Sequence, residues 1–388
     1  MIEIKGKFAE AKVFTDGALD ESSMTQIYKM MNHPAFQDQK IRIMPDVHAG
    51  SGSVVGFTSS LGDKVIPNVI GVDIGCGVTL LPISEKKSWS FETLDKVIRK
   101  HVPSGMNVRD TIHKDFKNKY SDLGHDFADL AEHIEKVCTK TGQNHDRVLK
   151  SLGTLGGGNH YIEVGKDKEG NNFLSIHSGS RNFGLQVANY HQKKAIAHRA
   201  EVDKELLEGY GKDLAWLEGD DAEDYLYDME VAQRYAVLNR AVMTSVICQE
   251  MNWKDNVFGS IESIHNYVDF KHKVIRKGAI SAQKDEMMVI PISMAEGVIL
   301  AKGLGNADWN FSAPHGAGRL FSRGKAKETL SMDEYKSRMS GVWSSCISTG
   351  TLDESPMAYK GAEYILANIA ETVEVIDVIK PVYNFKAS

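Results

Sequence analysis

Five segments of the 388-residue chain set an ionisable or polar side chain among glycines and prolines. They are Pro45-Asp46-Val47-His48, Gly71-Val72-Asp73-Ile74-Gly75-Cys76-Gly77, Gly156-Gly157-Gly158-Asn159-His160, His177-Ser178-Gly179-Ser180-Arg181 and Pro314-His315-Gly316-Ala317-Gly318-Arg319. Glycine permits tight turns and close backbone approach, so such loops present side chains at a sheet edge. A sixth segment, Ile264-His265-Asn266-Tyr267, has the same polar types without the glycines.

Asp73 and Cys76 stand three residues apart, so a carboxylate and a thiolate in one turn could reach one metal ion, and a thiolate has lone pairs enough to bridge two. Alone, the pair is better read as a buried cysteine beside a turn-forming aspartate. His160, His177 and His265 change the balance, because neutral imidazole is the commonest ligand of Zn, Mn, Fe and Ni. Together the five residues point to a divalent metal centre. Its mixed hard and soft donors suit Mn or Zn, and residue types do not choose between them.

His315 is different in kind. A neutral imidazole can attack phosphorus, with arginines stabilising the charge on the transferred group. A metal-ligand or turn role fits its spacing equally well. Arg181, Arg276, Lys277, Arg319 and Arg323 lie in short polar segments near these motifs, where guanidinium forks suit phosphate. No GxxxxGK[ST] occurs, and the glycine pattern around Gly50 lacks a strand-to-helix context, which excludes P-loop and Rossmann sites.

The elements that must carry these groups read as a mixed α+β body. Extended character over residues 1–15 precedes a helix over 21–32. Short apolar runs broken by Gly, Pro and Asp over 41–83 and 152–184 predict sheets with tight turns. Helices are expected over 91–101 and 126–139, strands over 260–270 and 287–303, a helix over 357–371 and a last strand over 373–379. Residues 186–251 are strongly helical and predict an αα-hairpin inserted into one domain spanning 1–388.

Hydrophobic content of 42% and charged content of 25% are those of a soluble globular chain. No apolar run approaches the length of a membrane span, and the start lacks the basic and apolar stretches of a signal peptide. Four cysteines without framework spacing fit a reducing compartment, so a cytoplasmic protein is expected. A formal charge of -6 excludes a generally basic coat but leaves room for a local basic groove.

In order along the chain, MPDVHAG, GVDIGCG, GGGNHYIE, HSGSR, HNY, RKGA, PHGAGR and DESPMAYK resemble the motifs of the RtcB-type RNA ligases, from about residue 41 to the C-terminus. The resemblance implies the fold of that family and an enzyme joining RNA 3′-phosphate or 2′,3′-cyclic phosphate ends to 5′-hydroxyl ends with GTP and Mn, in RNA repair or tRNA splicing. It implies two Mn ions, one on Asp73, Cys76 and His160, the other on Cys76, His177 and His265. It makes His315 the nucleophile that takes up GMP, oriented by Asp46. Guanosine contacts would fall on Asn159, Glu163, Asn266, Lys277, Ser293, Tyr359 and Lys386, and RNA phosphates on Arg181, Arg319 and Arg323. The chain departs from the family pattern at Ala295-Glu296-Gly297-Val298, at Ser312-Ala313-Pro314 and in the tail Tyr383-Asn384-Phe385-Lys386-Ala387-Ser388. Two alternatives are a metal-dependent phosphohydrolase acting on RNA ends and a binding protein that recognises broken RNA without turnover.

Overall fold

The computed structural model describes residues 1–17, 19–84, 88–112, 127–254 and 259–387. Its strands are β1 (Ile2–Lys5), β2 (Glu10–Val13), β3 (Ile41–His48), β4 (Val55–Ser60), β5 (Gly77–Pro82), β6 (Tyr161–Lys166), β7 (Asn172–Ser178), β8 (Ile261–Ile264), β9 (Asn266–Asp269), β10 (Val274–Lys277), β11 (Ala279–Ser281), β12 (Met287–Ser293), β13 (Gly297–Gly303), β14 (Ser312–Pro314) and β15 (Val373–Lys386). The helices are α1 (Glu21–Met31), α2 (Pro67–Ile70), α3 (Phe91–His101), α4 (Phe127–Thr141), α5 (His145–Lys150), α6 (Arg181–Val202), α7 (Lys204–Tyr210), α8 (Asp220–Glu250), α9 (Arg323–Thr329), α10 (Met332–Arg338) and α11 (Ala362–Asn368).

One sheet has six strands in the order β1-β2-β3-β4-β10-β9, and another has seven in the order β12-β13-β15-β6-β7-β5-β8. A two-stranded ribbon, β11-β14, leads into the His315 loop. Helices and sheets mix in one α+β body, as the residue pattern predicts.

The two-residue period of a strand explains how the seven-stranded sheet serves a core and a site at once. On β6, Ile162 and Val164 join an apolar cluster with Leu174 and Ile176 of β7, Tyr383 and Phe385 of β15, and Met243 and Ile247 of α8. The residues between them face the other way: Tyr161 and Glu163, Ser175 and His177, Asn384 and Lys386. Register pairs Tyr161 with His177, and Glu163 with Asn384, across neighbouring strands.

Several expectations differ from the structure for physical reasons. The last strand does not stop near 379 but continues to Lys386, because its Pro381 is accommodated at a register shift and the alternation of buried sides resumes beyond it. The helix expected over 357–371 shrinks to α11, preceded by tight turns. The expected sheet over 152–184 yields two strands, and its last residues open α6.

The helical stretch over 186–251 becomes three helices starting at Arg181. The longest, α8, does not stand off the sheets: from Leu238 to Cys248 it is buried on every side, packed against β7 and α3. Acidic Asp220, Asp221 and Glu223 in its first turn complement the positive end of its dipole.

Candidate metal centre and adjoining cleft

Four neighbouring strands, β6-β7-β5-β8, end side by side, and each delivers one donor. His160 directly precedes β6, His177 lies near the end of β7, Cys76 directly precedes β5, and His265 follows β8. The ladder continues past the last strand, since the His265 amide donates to the Cys76 carbonyl at 2.9 Å. Asp73 joins from the turn before Cys76. Gly179 makes room for it: a Cβ there would fall 2.1 Å from Asp73 Oδ1.

The donor atoms converge. Cys76 Sγ lies 3.4 Å from His160 Nε2 and 3.2 Å from His177 Nε2. His160 Nε2 lies 3.0 Å from Asp73 Oδ2, and the Nε2 atoms of His177 and His265 are 3.3 Å apart. Two triads result, Asp73–Cys76–His160 and Cys76–His177–His265, and they share Cys76. Each triad can hold a cation.

For His160 and His177 the far side of the ring settles which nitrogen faces inward. Nδ1–H of His160 donates to the Leu155 carbonyl at 2.9 Å, and Nδ1–H of His177 to the Asn159 carbonyl at 3.2 Å. That tautomer leaves the Nε2 lone pairs directed at the centre, as metal ligation requires. Burial, and after it the neighbouring imidazoles, keeps His177 and His265 well below the usual histidine range and therefore neutral. Burial pushes the Cys76 thiol well up, with the Asp73 charge adding to the effect. A bound cation reverses that preference, because metal binding displaces the thiol proton. Burial also opposes ionisation of Asp73, but its contacts with His160 and Cys76 and the nearby His265 together outweigh that and hold the carboxyl low.

His315 stands at the edge of this cluster, its ring 4.7 Å from that of His265. Nδ1–H of His315 donates to Asp46 Oδ2 at 2.7 Å, and the Asp46 side chain is fully buried. The pair rests on a close approach between two loops. Gly318 has φ of +77°, and a Cβ there would lie 2.3 Å from the Asp46 carbonyl oxygen. Lys360 braces the same strand by donating to the Pro45 and Val47 carbonyls at 3.1 and 3.2 Å.

A cleft opens beside His315 and His177. Of the residues expected to contact a nucleotide, Asn159, Glu163, Ser293, Tyr359 and Lys386 line it. Burial pushes the Glu163 carboxyl up to about 8, although Asn384 donates to it at 2.7 Å. Asn266 and Lys277 are placed otherwise. The Asn266 amide donates to the Asp73 carbonyl and accepts from the Gly278 amide, tying two loops together. Lys277 is buried, its amine given to the carbonyls of Ser51, Ser53 and Asn68, and burial lowers it to about 7.

The arginines are also committed to protein groups. Arg319 and Arg323 line the cleft, but both pair with Glu354, Arg319 at 3.1 Å. Arg181 reaches the Thr154 hydroxyl and the Gly105 carbonyl. Arg276 is not a phosphate contact: it is fully buried and bonded to Ser312, Tyr267 and Asp269.

Glu354 is the cleft residue that spacing did not single out. Its carboxylate accepts from Tyr359 at 2.6 Å and from Lys386 at 2.9 Å, besides the two arginines. These cations overcome its burial and bring it down to about 2. Its signal was its place in DESPMAYK, five residues before its partner Tyr359, but its cationic partners Arg319, Arg323 and Lys386 lie outside that motif. Asn384 and His48 line the cleft too and are likewise legible only in three dimensions.

Comparison with known proteins decides the family. The model of the tRNA-splicing ligase RtcB family matches residues 26–387. The chain belongs to the RtcB family. It is 31% identical to the RNA-splicing ligase RtcB of Escherichia coli K12, over 96% of both chains. The tRNA-splicing ligases RtcB of Nanoarchaeum equitans and Aeropyrum pernix are 29% and 28% identical, over 84% and 86% of this chain. The clustered donors and the His315 loop lie within the region matched to the RtcB family. Among the described residues, no helix is long and apolar enough to cross a membrane.

Proposed function

We propose that this RtcB-family chain is a GTP- and Mn-dependent RNA ligase joining RNA 3′-phosphate ends to 5′-hydroxyl ends through a guanylylated His315. A 2′,3′-cyclic phosphate is opened by hydrolysis beforehand. The observation that carries the reading is the His315–Asp46 pair set beside the two donor triads.

The residues fit a pair of divalent ions: three imidazoles with Nε2 directed inward, one carboxylate and a thiol placed to be shared. Bound there, the ions would neutralise charge on phosphate oxygens. The protein does the rest. Asp46 holds the proton on Nδ1 of His315, so Nε2 is the basic nitrogen. His315 Nε2 attacks the α-phosphorus of GTP: an N–P bond forms, the P–O bond to the β-phosphate breaks and pyrophosphate leaves. An oxygen of the RNA 3′-phosphate then takes the guanylyl group, releasing His315. The 5′-hydroxyl attacks the activated phosphate, GMP leaves and a phosphodiester remains. As the attacking Nε2 becomes bonded to phosphorus, the ring gains positive charge that the Asp46 carboxylate offsets.

In the cleft, Glu163 as carboxylate would accept from the N–H groups of a guanine, those donors offsetting the burial that raises it, while Ser293, Asn159, Tyr359 and Lys386 bound the same space. Arg319 and Arg323 would meet RNA phosphates by exchanging part of their contact with Glu354.

Labelled GTP and Mn test this directly. A covalent GMP adduct should form on the wild type and be absent from His315→Ala. An adduct of equal yield in that variant, or none on the wild type, refutes the mechanism. Release of phosphate from RNA ends without GTP would instead indicate a phosphohydrolase.

A further inference from the structure

Two adjacent residues in the middle of α8, Asn239 and Arg240, hydrogen-bond to the loops that carry Cys76, His160 and His177. Arg240 and Asn239 are both fully buried, in the part of α8 that packs against β7 and α3. A buried guanidinium and amide are costly unless every polar atom finds a partner. Here most of the partners are backbone atoms of the loops that carry the metal-binding side chains.

Arg240 Nη1 donates to the Gly75 carbonyl and to the Ser178 carbonyl, each at 2.9 Å. Gly75 directly precedes Cys76, and Ser178 directly follows His177. One nitrogen therefore sets the distance between the two strand ends that bring the thiol and His177 together. Nε and Nη2 of Arg240 are fixed in turn on Glu262 Oε2 at 3.0 and 2.8 Å. Glu262 lies on β8, three residues before His265, and also accepts from Thr79 of β5. The guanidinium thus ties β5, β7 and β8 at the level of the donors.

Asn239 holds the His160 side. Its Oδ1 accepts from the amides of Gly153 at 2.8 Å and Thr154 at 3.1 Å. Its Nδ2 donates to the Thr154 and Gly179 carbonyls, both at 3.1 Å, and to Ser178 Oγ at 3.2 Å. The Ser178 hydroxyl donates onward to the Leu155 carbonyl at 2.8 Å, the same oxygen that receives Nδ1–H of His160. Asn239 therefore fixes the oxygen that sets the His160 tautomer.

We infer that Asn239 and Arg240 are the positioning residues of the metal centre: α8 clamps the Cys76, His160 and His177 loops so that one thiolate meets all three imidazoles. The inference rests on the reading of the triads as metal sites. Outer-shell partners of this kind change metal affinity about 10- to 100-fold when altered.

Co2+ is a suitable probe, because thiolate ligation gives it an intense near-ultraviolet charge-transfer band. The purified full-length chain would be titrated with Co2+ as wild type, Arg240→Lys, Asn239→Asp and Met229→Ala. Lysine keeps the charge but cannot bridge two carbonyls and a carboxylate. Aspartate keeps the acceptor and loses the donor. Met229→Ala removes a buried side chain of α8 about three turns away and controls for lost stability.

The expected result is a band in the wild type and in Met229→Ala, with Co2+ affinity at least tenfold weaker and the band diminished in the other two. Wild-type affinity and band in a folded Arg240→Lys and a folded Asn239→Asp overturn the inference alone. Should one of the pair fail to fold, the other decides. Absence of any band in the wild type overturns the metal centre and the inference with it.

Discussion

Replacing Asp46 by Asn tests the chemistry assigned to His315 most directly. The substitution keeps size and hydrogen-bonding capacity and removes one charge. In the structure the carboxylate accepts Nδ1–H of His315 at 2.7 Å and is fully shielded from water. When Nε2 becomes bonded to phosphorus, the ring gains positive charge about 4 Å from that carboxylate. Two unit charges at that distance, with an effective dielectric of about 20, interact by about 4 kcal/mol. If about half the charge has developed at the transition state, the loss is about 2 kcal/mol, or about 30-fold in rate.

A second effect adds to the first. Asp46 Oδ1 has no hydrogen-bond partner among the described residues, so no neighbour holds an amide there with its oxygen toward the ring. Whenever the amide nitrogen faces Nδ1, the imidazole proton moves to Nε2 and the nucleophilic lone pair is lost. The single-turnover rate of GMP adduct formation, with saturating GTP and Mn, should therefore fall at least about 30-fold in Asp46→Asn. Nucleotide affinity should remain near that of the wild type. A rate within threefold of wild type would show that the carboxylate neither orients nor stabilises His315.

Cys76→Ser should remove the shared ligand of both triads, so that metal content measured after dialysis falls for the whole centre rather than by half; retention of wild-type content would show that the thiol is not a ligand. Glu354→Gln bears on stability and pH. A carboxyl held near 2 rather than 4.5 contributes about 3 kcal/mol, present above its unfolded value and lost as pH falls from about 4.5 toward 2. The variant should therefore be less stable at pH 7 and show a shallower loss of stability in acid, both read by denaturant titration. Glu163 has the opposite sign. Its carboxyl is raised to about 8, so its contribution is full below about 4.5, falls as pH rises from there and is gone above about 8, and Glu163→Gln should flatten that decline in thermal melts. Gly318→Ala places a Cβ against the Asp46 carbonyl at a positive φ, which should cost about 1–3 kcal/mol and reduce adduct yield together; an unchanged melting temperature would refute the packing argument.

The strand-to-helix bookkeeping was unevenly legible. Residues 91–101 match α3 because Ser90 caps the helix and its basic last turn closes it, both of which are local signals. The end of β15 was hidden by Pro381, a residue that ordinarily breaks a strand and here sits at a register shift. The position of α8 was hidden for another reason. Its charged first half reads as part of an inserted helical hairpin, and only the packing of β7 and α3 on its second half makes it central.

By itself, the sequence determined the donor types and the loops that present them. The chemistry of Asp73, Cys76, the histidines and their glycines depends on side-chain identity and local turn geometry, and both are written in a few adjacent residues. Tertiary structure decided which of these groups meet, and what occupies the cations around them. The order β6-β7-β5-β8 brings positions up to 189 residues apart onto one sheet edge, from Cys76 to His265. It turns Lys277 and Asn266 into braces between loops, and makes Glu354 a partner of Arg319, Arg323 and Lys386. It also lets Asn239 and Arg240, silent in any motif, hold the metal loops in register. Long-range pairing of this kind follows from the packing of whole elements, which short-range spacing does not encode.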